Sequence, residues 1–180
     1  MKDNNLKADK LMVAPSHRLK LIIGIGNPRK QYKNSYHNAG FLAVDYLKEK
    51  IPACRFLKSE SYMNDSGLFV VQMLKKTGIK PQELLIVHDD SDIELGKSKL
   101  GFGRGSAGHK GISSIISSLK TKNFWRLRIG IRSKVRISAA GSTRRLKAED
   151  FVLKTISKKD EAVLEKTLEQ ALSKIQAISA

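Results

Sequence analysis

The residues able to do chemistry in this chain are four histidines, a run of acids and two asparagines set among turn residues. An unperturbed histidine titrates near pH ~6.5, so His17, His37, His88 and His109 are all candidates to accept a proton at neutral pH. His37 is the strongest of them. It opens His37-Asn38-Ala39-Gly40, where a helical pattern begins after the apolar run that ends in Gly24-Ile25-Gly26-Asn27-Pro28. A histidine base needs a carboxylate on its other ring nitrogen to fix tautomer and orientation, and Asp89 is the expected partner. Asp89 follows the apolar run Leu84–His88, at the strand end where open α/β sheets build their sites. The only cysteine is Cys54 and there is no Gly-x-Ser-x-Gly turn, so activated water is favoured over a covalent intermediate. Asn27 and Asn64 could donate to a developing oxyanion, although asparagine is also an ordinary turn and helix-cap residue.

Two alternative chemistries fit less well. Gly24 and Gly26 after a strand suggest a dinucleotide site, but the third glycine of that fingerprint is absent and Asn27-Pro28 follows. Asp89, Asp90, Asp92 and Glu94 could gather a hard cation. Their spacing matches no calcium loop, and the run reads as a turn of solvated acids after a strand, so no metal site is expected.

The elements that must position these groups alternate. Leu19–Ile25 reads as a buried strand and Ala39–Lys50 as a helix ended by Pro52. Arg55–Ser59 is a short strand, and Leu68–Lys76 a helix closed by Gly78 and Pro81. After the strand Leu84–His88 comes a glycine-rich loop, Gly101–Gly108, opening a helix with Ile112, Ile115, Ile116 and Leu119 on its core face. Trp125–Ile131 is a further strand, and Arg132–Lys147, basic and without hydrophobic period, reads as a mobile loop. Ser157 and Asp160 mark the start of a last helix with an apolar stripe at Leu164, Leu168, Leu172 and Ile175. This order predicts a single α/β domain: a three-layer α/β/α sandwich around a mixed, mostly parallel sheet. The domain is expected over residues 19–180, after a polar, lysine-rich lead-in over 1–18 that is expected to be disordered.

The formal net charge is +17, and it is concentrated. From Lys97 to Lys147 there are fourteen Lys and Arg and no Asp or Glu. Such a segment predicts a surface that faces a polyanion, and nucleic acid is the expected partner. A single cysteine suits a reducing compartment, and no apolar run approaches membrane-spanning length. A soluble intracellular protein is expected, cytoplasmic or in the mitochondrial matrix.

Six ordered blocks resemble the bacterial-type peptidyl-tRNA hydrolase family. They are Gly24-Ile25-Gly26-Asn27-Pro28 with Tyr32, His37-Asn38-Ala39-Gly40, Tyr62-Met63-Asn64-x-Ser66-Gly67, His88-Asp89-Asp90-x-Asp92, Gly108-His109-x-Gly111, and Phe124-x-Arg126-Leu127-Arg128-Ile129-Gly130-Ile131. The resemblance implies a monomeric, cofactor-independent enzyme that cleaves the ester between a peptide and the 3′ end of tRNA. It implies His37 as the base and Asp89 as its orienting partner. Asn27 and Asn64 would position peptide and ester carbonyl, with Tyr32 and Met63 lining the cleft, His109 at its border and Lys110 beside it. Arg128 and Arg104 would meet tRNA phosphate. Three departures from the family pattern stand out: Lys110 where an asparagine is usual, Tyr36 where an arginine is common, and a shortfall of roughly one β-hairpin before Asn64. They leave a second reading, a relative with little or no activity that binds RNA. A third, an unrelated nucleotide-using α/β enzyme, lacks a complete phosphate fingerprint.

Overall fold

The computed structural model describes residues 17–132, 148 and 151–180, so the lead-in over 1–16 and most of the basic segment after Arg132 lie outside the described residues. Five strands form one sheet, β1 (Leu21–Gly24), β2 (Arg55–Lys58), β3 (Leu84–Glu94), β4 (Ser98–Phe102) and β5 (Trp125–Arg132). Their order is β2-β1-β3-β5-β4. The first three pairings are parallel and β4 runs antiparallel to β5, which makes the sheet mixed and mostly parallel as expected.

Period-2 alternation sorts each strand between two cores. Ile22, Leu85, Val87, Leu127 and Ile129 face α1 (Ala39–Leu47) and α4 (Lys158–Ser179). Leu21, Ile23, Leu84 and Ile86 face α2 (Ser66–Thr77) and α3 (Lys110–Leu119). The three layers follow from that division. In α4, Ser157 Oγ accepts from Asp160 N at 3.1 Å, and Leu164, Leu168 and Ile175 are buried while Leu172 is only partly covered.

Two sequence expectations fail for identifiable reasons. The acids after His88 do not form a solvated turn: β3 continues through Glu94, and Asp89 and Asp90 are buried. Pairing with β5 carries the strand on past its apolar half, because tertiary hydrogen bonds outweigh the poor strand propensity of aspartate. Gly101 and Phe102 are likewise not loop but the end of β4, paired with Arg126 and Trp125. Pairing with β5 supplies the backbone partners that hold the start of this glycine-rich stretch extended at the sheet edge. Helix boundaries also shift, α1 ending at Leu47 and α2 starting at Ser66.

The glycines that open the first βα connection serve packing. A Cβ on Gly24 would collide with the Gly40 carbonyl, and one on Gly26 with Asn38 Oδ1. Backbone contact between β1 and the start of α1 brings the turn Tyr36–Asn38 against the C-terminal end of the sheet.

Candidate active site

A cleft of ≈ 750 Å³ opens at the C-terminal ends of the parallel strands, lined by Asn27, His37, Met63, Asn64, Asp89 and His109 among others. At its floor lies Asp89, 2 % exposed on β3. Its Oδ1 receives two histidines, His37 Nδ1 at 2.8 Å and His109 Nε2 at 3.1 Å. Burial alone would raise the Asp89 carboxyl. The electrostatic pull and hydrogen bonds of His109 and His37 outweigh that and hold it well below the usual carboxylate range. Asp89 is therefore an anion, and both histidines donate N–H to it. In its neutral form His37 then keeps its lone pair on Nε2, the nitrogen that a base would use.

The backbone of His37 is held from a distant part of the chain. Its N–H donates to Val152 O at 2.7 Å, and Tyr36 N donates to Lys154 O. Ser35 and Thr155 form an isolated antiparallel bridge. Tyr36 sends its hydroxyl to Asp160 on α4 and packs edge-on against Phe151.

Asn27 is fixed by two partners. Its N–H donates to Asn38 Oδ1 at 2.7 Å, and its Oδ1 accepts from Met63 N at 3.1 Å. With the carbonyl end occupied, Nδ2 is the end of the amide that can donate into the cleft. Asn38 was legible in the sequence only as a residue next to His37. Buried, it clamps the loop by donating to Asn27 O and Tyr32 O. Tyr32 itself does not line the cleft, contrary to expectation; its carbonyl is the part in use, because the short turn Lys30–Tyr32 folds back toward Asn38.

Behind the cleft floor, His88 donates Nδ1–H to Asp89 O at 2.6 Å and packs edge-on to His109, with ring centroids 4.6 Å apart. Burial pushes His88 well below the ordinary histidine range, so it is neutral. His37, Asp89 and His109 offer ligand atoms within 4.8 Å of one another, a set that could be mistaken for a cation site. His109 Nδ1 already accepts from Ile112 N, however, so Nε2 carries the proton and has no lone pair for a metal.

The comparisons with known proteins show the family of the chain. The family model for peptidyl-tRNA hydrolase matches residues 21–53 and 50–180. The chain belongs to the peptidyl-tRNA hydrolase family. It is 36% identical over 169 residues to the peptidyl-tRNA hydrolase of Mycoplasmopsis synoviae, with 85% of this chain and 86% of that one covered. Against the enzyme from Sulfurihydrogenibium the identity is 36% over 172 residues, covering 85% and 87%. The crystal structure of the Acinetobacter baumannii peptidyl-tRNA hydrolase superposes with a TM-score of 0.75 at 32% identity, covering 92% and 91%.

Among residues the family resemblance singled out, Met63, Asn64, His109 and Lys110 line the cleft, with Lys110 exposed as the first residue of α3. Tyr62 and Leu153, both substantially exposed, form an apolar rim. Arg104 and Arg128 lie elsewhere, in a second groove of ≈ 490 Å³ shared with Lys99, Arg126 and Lys174. Arg128 is not a free cation there: its Nε donates to Asp90 Oδ2 at 2.6 Å. Arg126, overlooked in the sequence, is 2 % exposed, and its Nε and Nη1 have no hydrogen-bond partner. Burial first, and then Arg128 beside it, push its guanidinium down to about 10. The alternation Trp125-Arg126-Leu127-Arg128-Ile129 held the signal, since arginines between core residues of a central strand must face the other way.

Proposed function

We propose that this chain hydrolyses the ester joining a peptide to the 3′ end of tRNA, using His37 as the base. The observation that carries the proposal is the buried Asp89 carboxylate 2.8 Å from His37 Nδ1, which leaves Nε2 unprotonated toward the cleft. Nε2 takes a proton from water as the water oxygen bonds to the ester carbonyl carbon. The carbonyl electrons move onto oxygen, and amide donors from Asn27 and Asn64, which line the cleft, meet that charge. When the tetrahedral species collapses, the bond to the ribose 3′ oxygen breaks and His37 returns its proton to that leaving oxygen. The peptide departs as a free acid and the tRNA with its hydroxyl restored. Every step uses groups of the chain and water.

The second groove supports the tRNA side of the reading. Lys99, Arg104, Arg126, Arg128 and Lys174 give phosphate affinity with little base discrimination, so binding should be general among tRNAs and weaken as salt rises. A monomer in a reducing intracellular compartment completes the proposal. The described residues contain no helix long and apolar enough to cross a membrane. The rival, a relative that only binds RNA, is not favoured, because the similar proteins are themselves peptidyl-tRNA hydrolases.

The test is ester cleavage of an N-blocked aminoacyl-tRNA without added metal. Wild type should exceed His37→Ala by roughly 10²–10⁴-fold, the range of a general base. Equal rates from two proteins that both bind tRNA would end the proposal.

A further inference from the structure

The resemblance puts His109 at the border of the cleft, as a residue that touches substrate. Its bonds assign it a different task. His109 is the N-cap of α3, and its Nδ1 accepts from Ile112 N at 3.3 Å. A backbone N–H can only donate, so Nδ1 must hold a lone pair. Nε2 lies 3.1 Å from an ionised carboxylate oxygen and so must carry the proton. Together the two contacts permit one state of the ring: neutral, with hydrogen on Nε2. Protonation at Nδ1 would set two N–H groups against each other at the helix start.

That neutral ring shares an acceptor with the base. His37 Nδ1–H and His109 Nε2–H both end on Asp89 Oδ1. An oxygen that serves two donors draws less strongly on each. The His109 N–H is aimed at Asp89 Oδ1, with the two rings 5.5 Å apart. This division of the carboxylate acts against a proton resting on His37 before water is attacked.

The surrounding groups leave His109 in control of this balance. On β3, His88 packs edge-on to it and is neutral, and Asp90 is occupied by Arg128 and by Asp92 N–H. The buried Arg126 lies close enough to His88 to act on it electrostatically. Asp92, exposed on β3, also lines the cleft, as does Lys110, exposed on α3 itself. His37, from the turn before α1, completes the set.

We propose that His109 is a positioning residue for the base: a tautomer-locked neutral donor that divides the hold of Asp89 and keeps His37 ready to accept a proton. The proposal rests on the reading of His37 and Asp89 as base and partner.

The test is the pH profile of kcat/KM from pH 5 to 9 for wild type and His109→Asn. Asparagine is a preferred N-cap, so α3 keeps its start, while the shorter side chain gives up the bond to Asp89. The acid limb should move to higher pH by roughly 0.5–1 unit, with KM near wild type. A limb that stays in place or moves to lower pH would overturn the proposal, and a raised KM with an unmoved limb would make His109 a substrate contact. A second measurement needs no variant: ¹⁵N chemical shifts of the wild-type imidazole at pH 8 should show the proton of His109 on Nε2 and a bare Nδ1. The opposite tautomer would also overturn it. The base reading fails separately, through a fully active His37→Ala.

Discussion

The catalytic cleft and the basic groove lie on neighbouring strands and differ in how their buried charge is satisfied. In the cleft, Asp89 is an anion answered by two histidines on Oδ1 and by His88 on its backbone oxygen. In the groove, Arg126 is a buried cation with two unpaired nitrogens and two arginines for neighbours. Leaving a buried charge without a partner costs several kcal/mol, so the first arrangement is complete as it stands, whereas the second sets only the nearby Asp90 charge against its arginine neighbours. A reacting group must be oriented before substrate arrives, whereas a binding group gains by having its charge answered only in the complex. Asp90 and Arg128 join the two regions: Asp90 lines the cleft, Arg128 lines the groove, and they are bonded to each other.

This contrast can be broken most sharply at the cleft floor. Asp89→Ala leaves two imidazole N–H groups without an acceptor and His37 without an orienting partner. The expected loss in kcat is roughly 10²–10⁴-fold with tRNA affinity unchanged, measured by single-turnover cleavage beside a filter-binding titration. Affinity falling in step with kcat would mean that the two regions are not separable.

Arg126→Met addresses the groove. Affinity for tRNA should fall about tenfold and the slope of log K against log salt should lessen by about one, with kcat unchanged. Thermal stability should hold or rise, because an unpaired buried charge has been removed. A large loss of stability with normal binding would make Arg126 a structural residue.

A stability measurement probes the ring behind the floor. His88 is held neutral in the folded protein, whereas an unfolded histidine takes up a proton near pH ~6.5. The unfolded state therefore binds more protons below that value, and stability present above it is lost as pH falls. The expected loss is about 1.4 kcal/mol between pH 7.5 and 5.5, read from urea midpoints, and His88→Gln should flatten it. Asp89, depressed in the folded state, acts in a different window. Its contribution is present above the unfolded carboxylate value near ~3.9 and is lost only on further acidification.

The smallest effect is expected at Lys110. If the cleft lacks the amide usual in the family, Lys110→Asn should raise kcat/KM by roughly two- to fivefold, the worth of one added hydrogen bond. An unchanged or lower value would give the lysine a role of its own.

Sequence legibility followed the same division. His37, Asp89, Asn27 and Asn64 could be singled out because glycine-flanked turns and strand ends are local features with local signatures. The sandwich could be read from alternating periodicities, and the last helix from Ser157 and Asp160. What escaped depended on pairing across the sheet. Asp89 and Asp90 look like turn residues until β5 binds them into β3, and Gly101-Phe102 looks like loop until β5 gives it a partner. Arg126 was passed over as a site residue because only its alternation with Trp125 and Leu127, and not its place in a basic segment, points to burial. The clamp made by Asn38 required knowing where the carbonyls of Asn27 and Tyr32 would lie.

The segment that holds the His37 backbone has a consequence for the order of synthesis. His37 N–H ends on Val152 O, Asn34 O receives Ile156 N, and the entrance to β1 is pinned at Leu19 by Ile178 O. Early residues are thus fastened by residues more than a hundred positions later in the chain. A nascent chain stopped before Val152 can pair its first strands and still lack the anchor that aims its histidine, so the backbone bond that sets His37 forms only after Val152 has emerged.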